Sequence, residues 1–388
     1  MSVLICVSAT EAETERLLNA GPRRDFIELA EATGGAILFQ QAKASRGRVW
    51  RRLSGPHIRQ AWHAAGRARC GDTVFADGEH IGIPLLAFLL LRFRRSVRVV
   101  MLGHLIARPW KAIPLAVLTR IGSQGTLVVH SVTQAERIQS TLGGRWDLRL
   151  VPYQVDTEFW RPGEATAPSG PATILAVGSE HRDYVTLSKA ARNLDVHVRI
   201  AAGSHWARSL AAAGETPANV EYITEPLPFA ELRAAYAAAA IVVVPLEDVA
   251  NQSGVTTILE AMSMGRPVIT TANAGQRECI SGPSVDSEGV LDPRTADERG
   301  PQLFATGKSL DTDDDPDGYY VAPGDSAALR AAITKLLDEP EQRTAMGASG
   351  RRSACGHFTL DGYVDSLRDI IERPTPERLG ALDTRVAP

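Results

Sequence analysis

Short, predominantly apolar runs recur along the chain, and between them the apolar positions change to helical spacing. In the first part the runs are 3–7, 36–39, 73–76, 97–102 and 126–130; in the second they are 173–177, 196–201, 220–223, 241–244 and 268–271. A run without polar alternation, such as 241–244, suits a strand covered on both faces, and the alternation of the runs with helices predicts parallel sheets built from strand-helix-strand units. Helices are predicted over 11–18, around Phe26, Ile27, Leu29 and Ala30, over 81–93 and 229–240, and from Asp325-Ser326 to Leu337. The longest apolar run, Ile81 to Leu91, is too short to span a bilayer and reads as a buried helix. Phe358 to Ile371 is amphipathic.

The stretch 251–271, NQSGVTTILEAMSMGRPVITT, concentrates the chemistry. Ile241 to Val244 and Pro245 lead into a loop, and Ser253-Gly254 opens a helix whose Val255, Ile258, Leu259 and Met262 fall on one side. Gly265-Arg266-Pro267 ends that helix before the next strand. Ligands of such sheets bind at the carboxyl ends of the strands, where a glycine-opened helix start presents unpaired N–H groups to an anion such as a diphosphate. Glu260 is charged among apolar neighbours; by itself it reads as a solvated helix residue.

The segment GVTTILEAMSMGRPVI closely resembles the EAM-x-x-G-x-PVI signature of retaining glycosyltransferases of family 4, the glycosyl transferases group 1. The resemblance continues through ADGEHIGIPL, MLGHLIARPWKAI, the segment LVPYQVD at 150–156, similar to the family's V-x-P-x-x-V-D, and GYYVAPGD, and so covers most of the chain. It implies an α/β GT-B fold, two Rossmann-like domains facing across a cleft, with a C-terminal helix crossing back to the N-terminal domain. It also implies sugar transfer from a UDP- or GDP-linked donor, without metal or other cofactor. On the donor side it points to Gly178 and Arg182 for the diphosphate, to the loop and helix start Gln252, Ser253, Gly254, Val255 and Thr256, and to Glu260 for the ribose. Residues 224–229 match the base-binding loop. On the acceptor side it points to Glu79, His80 and His104, with Arg182, His104 and Glu260 as the catalytic set. The chain departs from the pattern at Gln252, where the first of two family glutamates would stand, and at Ser179, in place of a basic residue. The glycine-rich turn after the first strand is replaced by Ser8-Ala9-Thr10.

With 388 residues, the chain suits two domains. The Pro/Gly/Ala-rich segment 161–172 marks their junction, giving an acceptor-binding domain at 1–163, a donor-binding domain at 164–355, and a crossover helix with tail at 356–388. Residues 281–317 form an insertion whose composition favours a mobile loop. Its Asp311, Asp313 and Asp315 fail as a calcium loop, because Pro316 and Ala322 stand where Gly and Glu are needed. Cys6, Cys70, Cys279 and Cys355 have no paired spacing, and the N-terminus has no basic region before its apolar stretch; a cytoplasmic protein is expected.

Charge is divided unevenly along the chain. Residues 1–150 hold 21 Lys and Arg against 11 Asp and Glu, and the remainder is acidic. From Lys43 to Arg69, Trp50 and Trp62 are interleaved with Arg46, Arg48, Arg51, Arg52, Arg59 and Arg67. This pattern fits either a helix packed on the sheet or peripheral contact with an anionic membrane, the latter on its inner face. The acceptor is accordingly either lipid-linked or phosphorylated, or a small metabolite. The same fold leaves a nucleotide-sugar epimerase or phosphorylase as an alternative, and a nucleic-acid-binding protein using the basic half as one from another class. No nucleic-acid motif accompanies the arginines, so no nucleic acid is expected.

Overall fold

The computed structural model describes residues 2–18, 20–41, 55–104, 109–120, 125–142, 146–163, 170–203, 216–249, 251–276, 278–292 and 316–373. Trp50 with Arg46, Arg48, Arg51 and Arg52, the aspartates 311, 313 and 315, and the tail after 373 lie outside the described residues. The chain divides into two compact units, one of Met1–Asn19, Arg23–Pro152 and Asp361–Pro388, the other of Ala20–Pro22 and Tyr153–Leu360.

The first unit contains β1 (Val3–Val7), α1 (Glu11–Leu18), α2 (Asp25–Thr33), β2 (Ala36–Phe39), α3 (Pro56–Arg67), β3 (Thr73–Ala76), α4 (Glu79–Leu91), β4 (Arg98–Leu102), α5 (Pro109–Arg120), β5 (Gly125–Val129), α6 (Val132–Leu142) and β6 (Asp147–Leu150). Its six strands are all parallel, in the order β2-β1-β3-β4-β5-β6. The order reverses beside β1, which makes the carboxyl ends of β1 and β3 the point where a ligand crevice opens. The helix expected over 81–93 starts two residues earlier, after extended Gly78, and stops at Leu91.

The second unit contains β7 (Ala172–Val177), α7 (Tyr184–Ala191), β8 (Val196–Ala201), β9 (Val220–Ile223), α8 (Phe229–Ala238), β10 (Ile241–Val244), α9 (Val255–Ser263), β11 (Val268–Thr271), β12 (Ser284–Val285), β13 (Leu291–Asp292), β14 (Gly318–Val321), α10 (Ser326–Asp338), α11 (Pro340–His357) and α12 (Leu360–Glu372), the last passing into the first unit from Asp361. The strand order is β13-β12-β14-β11-β10-β7-β8-β9, parallel except for β13 against β12. Ile174, Val198, Ile241 and Val243 fill the core on one face, and Leu175, Val242 and Val244 that on the other. Two covered faces explain why β7 and β10 carry no polar alternation, whereas β8, nearer the sheet edge, alternates and exposes His197. Here the order reverses between β7 and β10, so their carboxyl ends form the corresponding crevice.

The chain leaves the first unit at Pro152–Tyr153, ahead of the junction expected at 161–172. The cause is burial of Val155 and Trp160 in the second core. The Trp160 carbonyl is held by Ser263 Oγ at 2.5 Å and Arg351 Nη1 at 2.9 Å, and Val155 pairs with Thr359. At the other end, Phe358 and Leu360 are buried, and α12 then buries Tyr363, Val364, Leu367 and Ile371 at helical spacing. Arg98 of β4 donates to the Ile371 carbonyl at 3.2 Å. Among the described residues no helix is long and apolar enough to cross a membrane.

Candidate functional site

In the second unit, the ends of β7 and β10 are tied together by backbone before any side chain is considered. Asp183 N–H donates to the Pro245 carbonyl and Glu247 N–H to that of His181, both at 3.0 Å. Gly178 ends β7 at φ 101, and Arg182 folds back onto it so closely that a Cβ at 178 would sit 2.5 Å from Nη2. The guanidinium donates to the carbonyls of Val177 (3.0 Å) and Glu180 (2.7 Å) and to Thr257 Oγ1 (3.3 Å). Burial lowers its pKa, opposed by Tyr184, Tyr236 and Glu180. Among the described residues no carboxylate forms an ion pair with it. A part-buried cation whose hydrogen bonds all go to neutral oxygens would be compensated by an anion at the strand ends.

Arg182 meets the helix start through Thr257, in the first turn of α9. Gly254 precedes that helix at φ 90 and ψ −11, the left-handed region, and a Cβ there would lie 2.9 Å from Val244 Cγ1. Val255 N–H reaches the Gln252 carbonyl at 3.4 Å, and Thr256 is exposed at the helix start. Helix starts of this form hold anions through backbone N–H groups and the helix dipole.

The preceding loop is shaped from β11 and the turn after it, residues that sequence reasoning missed. Gln276 Nε2 donates to the carbonyls of Asn251 (3.1 Å) and Ser253 (2.6 Å), and Asn273 Nδ2 to that of Glu247 (2.7 Å). Thr271 Oγ1 receives Leu246 N–H at 2.8 Å. Gly275 passes so close that a Cβ would sit 2.3 Å from the Asn251 carbonyl oxygen. Asn251 Oδ1 in turn accepts from the Ser253 hydroxyl at 2.8 Å. The glycine and the amides after β11 were the available signal. One turn on from Thr257 along α9, Tyr236 donates its hydroxyl to Glu260 Oε2 at 2.8 Å. Burial raises the Glu260 pKa to about 7, with the tyrosine bond pulling the other way.

In the first unit, residues just past five strand ends form a second polar group. Ser8 Oγ donates to Asp77 Oδ1 at 3.0 Å and lies 2.8 Å from His80 Nε2. His80 packs edge-on against His57, ring centres 4.3 Å apart, and His57 Nδ1 is 2.8 Å from Gln40 Nε2. His104 Nε2 donates to the Asp77 carbonyl at 3.1 Å, and its N–H to Glu79 Oε2 at 2.9 Å. Glu79 is thus a buried brace for His104, whereas His104 itself is exposed. Burial raises the Asp77 pKa, opposed by Ser8, His104 and His57; Asp25, also raised by burial, lies within reach of the same charges. His130, after β5, is buried and lowered to about 4, its Nδ1–H donating to the Val151 carbonyl at 3.0 Å. Sequence reasoning named His80, His104 and Glu79 but missed Ser8, Gln40, His57 and Asp77 as partners. Among the described residues no group of three His, Cys, Asp or Glu could hold a metal ion.

Residues 180–299 match the family model "Glycosyl transferases group 1". A search of curated proteins finds no match. Among solved structures, the chain is similar to a sucrose-phosphate synthase from Thermosynechococcus elongatus, with 14% identity and a TM-score of 0.68, covering 95% of this chain and 98% of that one. It is also similar to Anabaena HepE in complex with UDP and glucose (12%, 0.59, 96% and 99%). An α,α-trehalose-phosphate synthase (UDP-forming) from Burkholderia vietnamiensis matches too (10%, 0.64, 96% and 99%). These likenesses establish the GT-B fold.

Proposed function

We propose that the chain, whose residues 180–299 match the glycosyl transferases group 1 model on a GT-B fold, is a family 4 glycosyltransferase. On this reading it transfers a hexose-type sugar from a nucleoside diphosphate with retention of configuration. The observation that supports this is the part-buried Arg182 guanidinium, bonded only to neutral oxygens, meeting the Gly254-headed helix at Thr257. A diphosphate lodged there receives one guanidinium and the first-turn N–H groups. Both strengthen as negative charge grows on the leaving group. Glu260, polarised by Tyr236, accepts the ribose hydroxyls, and the 224–229 loop takes the base. UDP is favoured over GDP because HepE was solved with UDP.

The acceptor hydroxyl is held at the carboxyl edge of the first sheet by Asp77, His80 and His104. Its proton leaves with a phosphate oxygen on the same face, so no protein base and no metal are needed. The acceptor is either lipid-linked or phosphorylated, or a small metabolite. Incubation with a panel of UDP and GDP sugars, followed by NMR of the released or transferred sugar, tests the reading. Transfer with the donor's anomeric configuration is expected from one UDP sugar, and an inverted product would refute retention.

A further inference from the structure

The outward side of α3 and the end of α4 serve neither half of the proposed transfer. α3 buries Gln60, Ala61, Ala64 and Ala65, and exposes Ile58, Arg59, Trp62, His63, Gly66 and Arg67. Trp62, one turn from Ile58, remains 47% exposed although Phe88 meets it edge-on and the Arg92 guanidinium lies 3.9 Å from its ring centre. On either side of Arg92, Leu91 and Phe93 are 70% and 87% exposed. Phe93 sits at φ 56, where helix ends ordinarily place glycine. Here backbone strain holds an aromatic ring in solvent, and strain of this kind gathers at functional sites.

The charge on this face is one-sided. From 55 to 104 the chain has seven arginines and three acids; Arg98 belongs to β4, and Arg94 is engaged with the Ala65 and Gly66 carbonyls. Asp77 and Glu79 belong to the carboxyl edge, and Asp72 accepts the N–H groups of Ser2 and Arg69. Arg59, His63 and Arg67 repeat every fourth residue and line an open hollow whose other walls include Leu38, Phe39 and Pro56. Single exposed apolar residues are ordinary. An exposed Trp, a strained exposed Phe and a Leu set among cations without matching acids form the pattern of a surface that lies in a lipid interface.

We propose that this face docks on an anionic phospholipid bilayer. Trp62, Leu91 and Phe93 enter the interface, Arg92 meets headgroup phosphates, and the Arg59–His63–Arg67 hollow takes one phosphate. This deepens the acceptor half of the proposed function, favouring a lipid-borne acceptor, and rests on that reading for its purpose; docking itself needs no turnover.

Co-sedimentation with vesicles of phosphatidylcholine alone, and of phosphatidylcholine with a quarter phosphatidylglycerol, tests it. Binding only to the anionic vesicles is expected, falling roughly tenfold between about 0.1 M and about 0.5 M salt. Phe93→Gly should weaken binding several-fold while keeping or raising the melting temperature, because it relieves the strained φ. The double change Arg59→Glu and Arg67→Glu should abolish it. UDP titration of both variants should match wild type; lost UDP binding in a folded variant would assign these residues to the transfer site and overturn a separate docking role. Failure to bind anionic vesicles, or binding indifferent to both variants, would also overturn the proposal. Full competition by millimolar glycerol phosphate would show a soluble phosphate ligand and overturn the bilayer assignment.

Discussion

The two crevices stand at equivalent points of their sheets yet are built from opposite materials. In the second unit, backbone dominates: a left-handed glycine, a helix start and a loop clamped by Gln276 and Asn273, with one guanidinium added. In the first, the groups are side chains that titrate, Asp77, His80, His57 and His104, each contributed by a different strand end or helix. Backbone suits a ligand part shared by all turnovers, the diphosphate, because it fixes geometry without side-chain entropy. Side chains suit the partner that distinguishes one enzyme from another.

The largest expected effect separates the two. Arg182→Ala should lower kcat/KM by about 10²–10³, as loss of one donor to a developing charge does, and weaken UDP in calorimetry. Asp77→Asn should raise the acceptor KM and leave UDP affinity unchanged. If Asp77→Asn weakened UDP as much as Arg182→Ala, the division would fail. Next, Gly254→Ala should destabilise the second unit by about 2–3 kcal/mol, from the left-handed φ and the contact with Val244, read by denaturant titration.

A pH comparison sharpens the contrast. The folded pKa of Glu260, about 7, lies above its unfolded value. The folded state therefore holds that proton more tightly, and its stabilising effect is complete below about pH 4.5 and lost as pH rises through 7. Glu260→Gln should remove this slope and stabilise the ligand-free protein at pH 8 by on the order of 2 kcal/mol, while weakening UDP by about 1 kcal/mol. His130, with its folded pKa lowered to about 4, works in reverse: its contribution is present above pH 6.5 and lost as pH falls towards 4. His130→Asn should flatten the acid limb of the stability profile, measured by thermal melts from pH 4 to 8. The smallest effect is expected from Tyr236→Phe, about 1 kcal/mol in UDP affinity through a less well held Glu260.

The same contrast explains what could be read from sequence. Gly254, Arg182 and Glu260 stand within contiguous motifs because backbone sites are local, and the alternation of apolar runs with helices announced both parallel sheets. Thr257, Tyr236 and Gln276 were passed over since their partners lie on other elements. Asp77, Ser8 and His57 were dispersed over 70 residues and converge only when β1 and β3 pair. Proline and glycine at 161–172 mark where the chain turns, whereas burial of Val155 and Trp160 decides to which core the preceding segment belongs.

Calorimetric titration of wild type and Arg182→Ala with UDP, on protein shown by melting to be folded, tests the central claim most directly. The account predicts binding by wild type and a loss of tenfold or more in the variant, about 1.4 kcal/mol at least. Equal UDP affinity in the two proteins, or none in wild type, would contradict it.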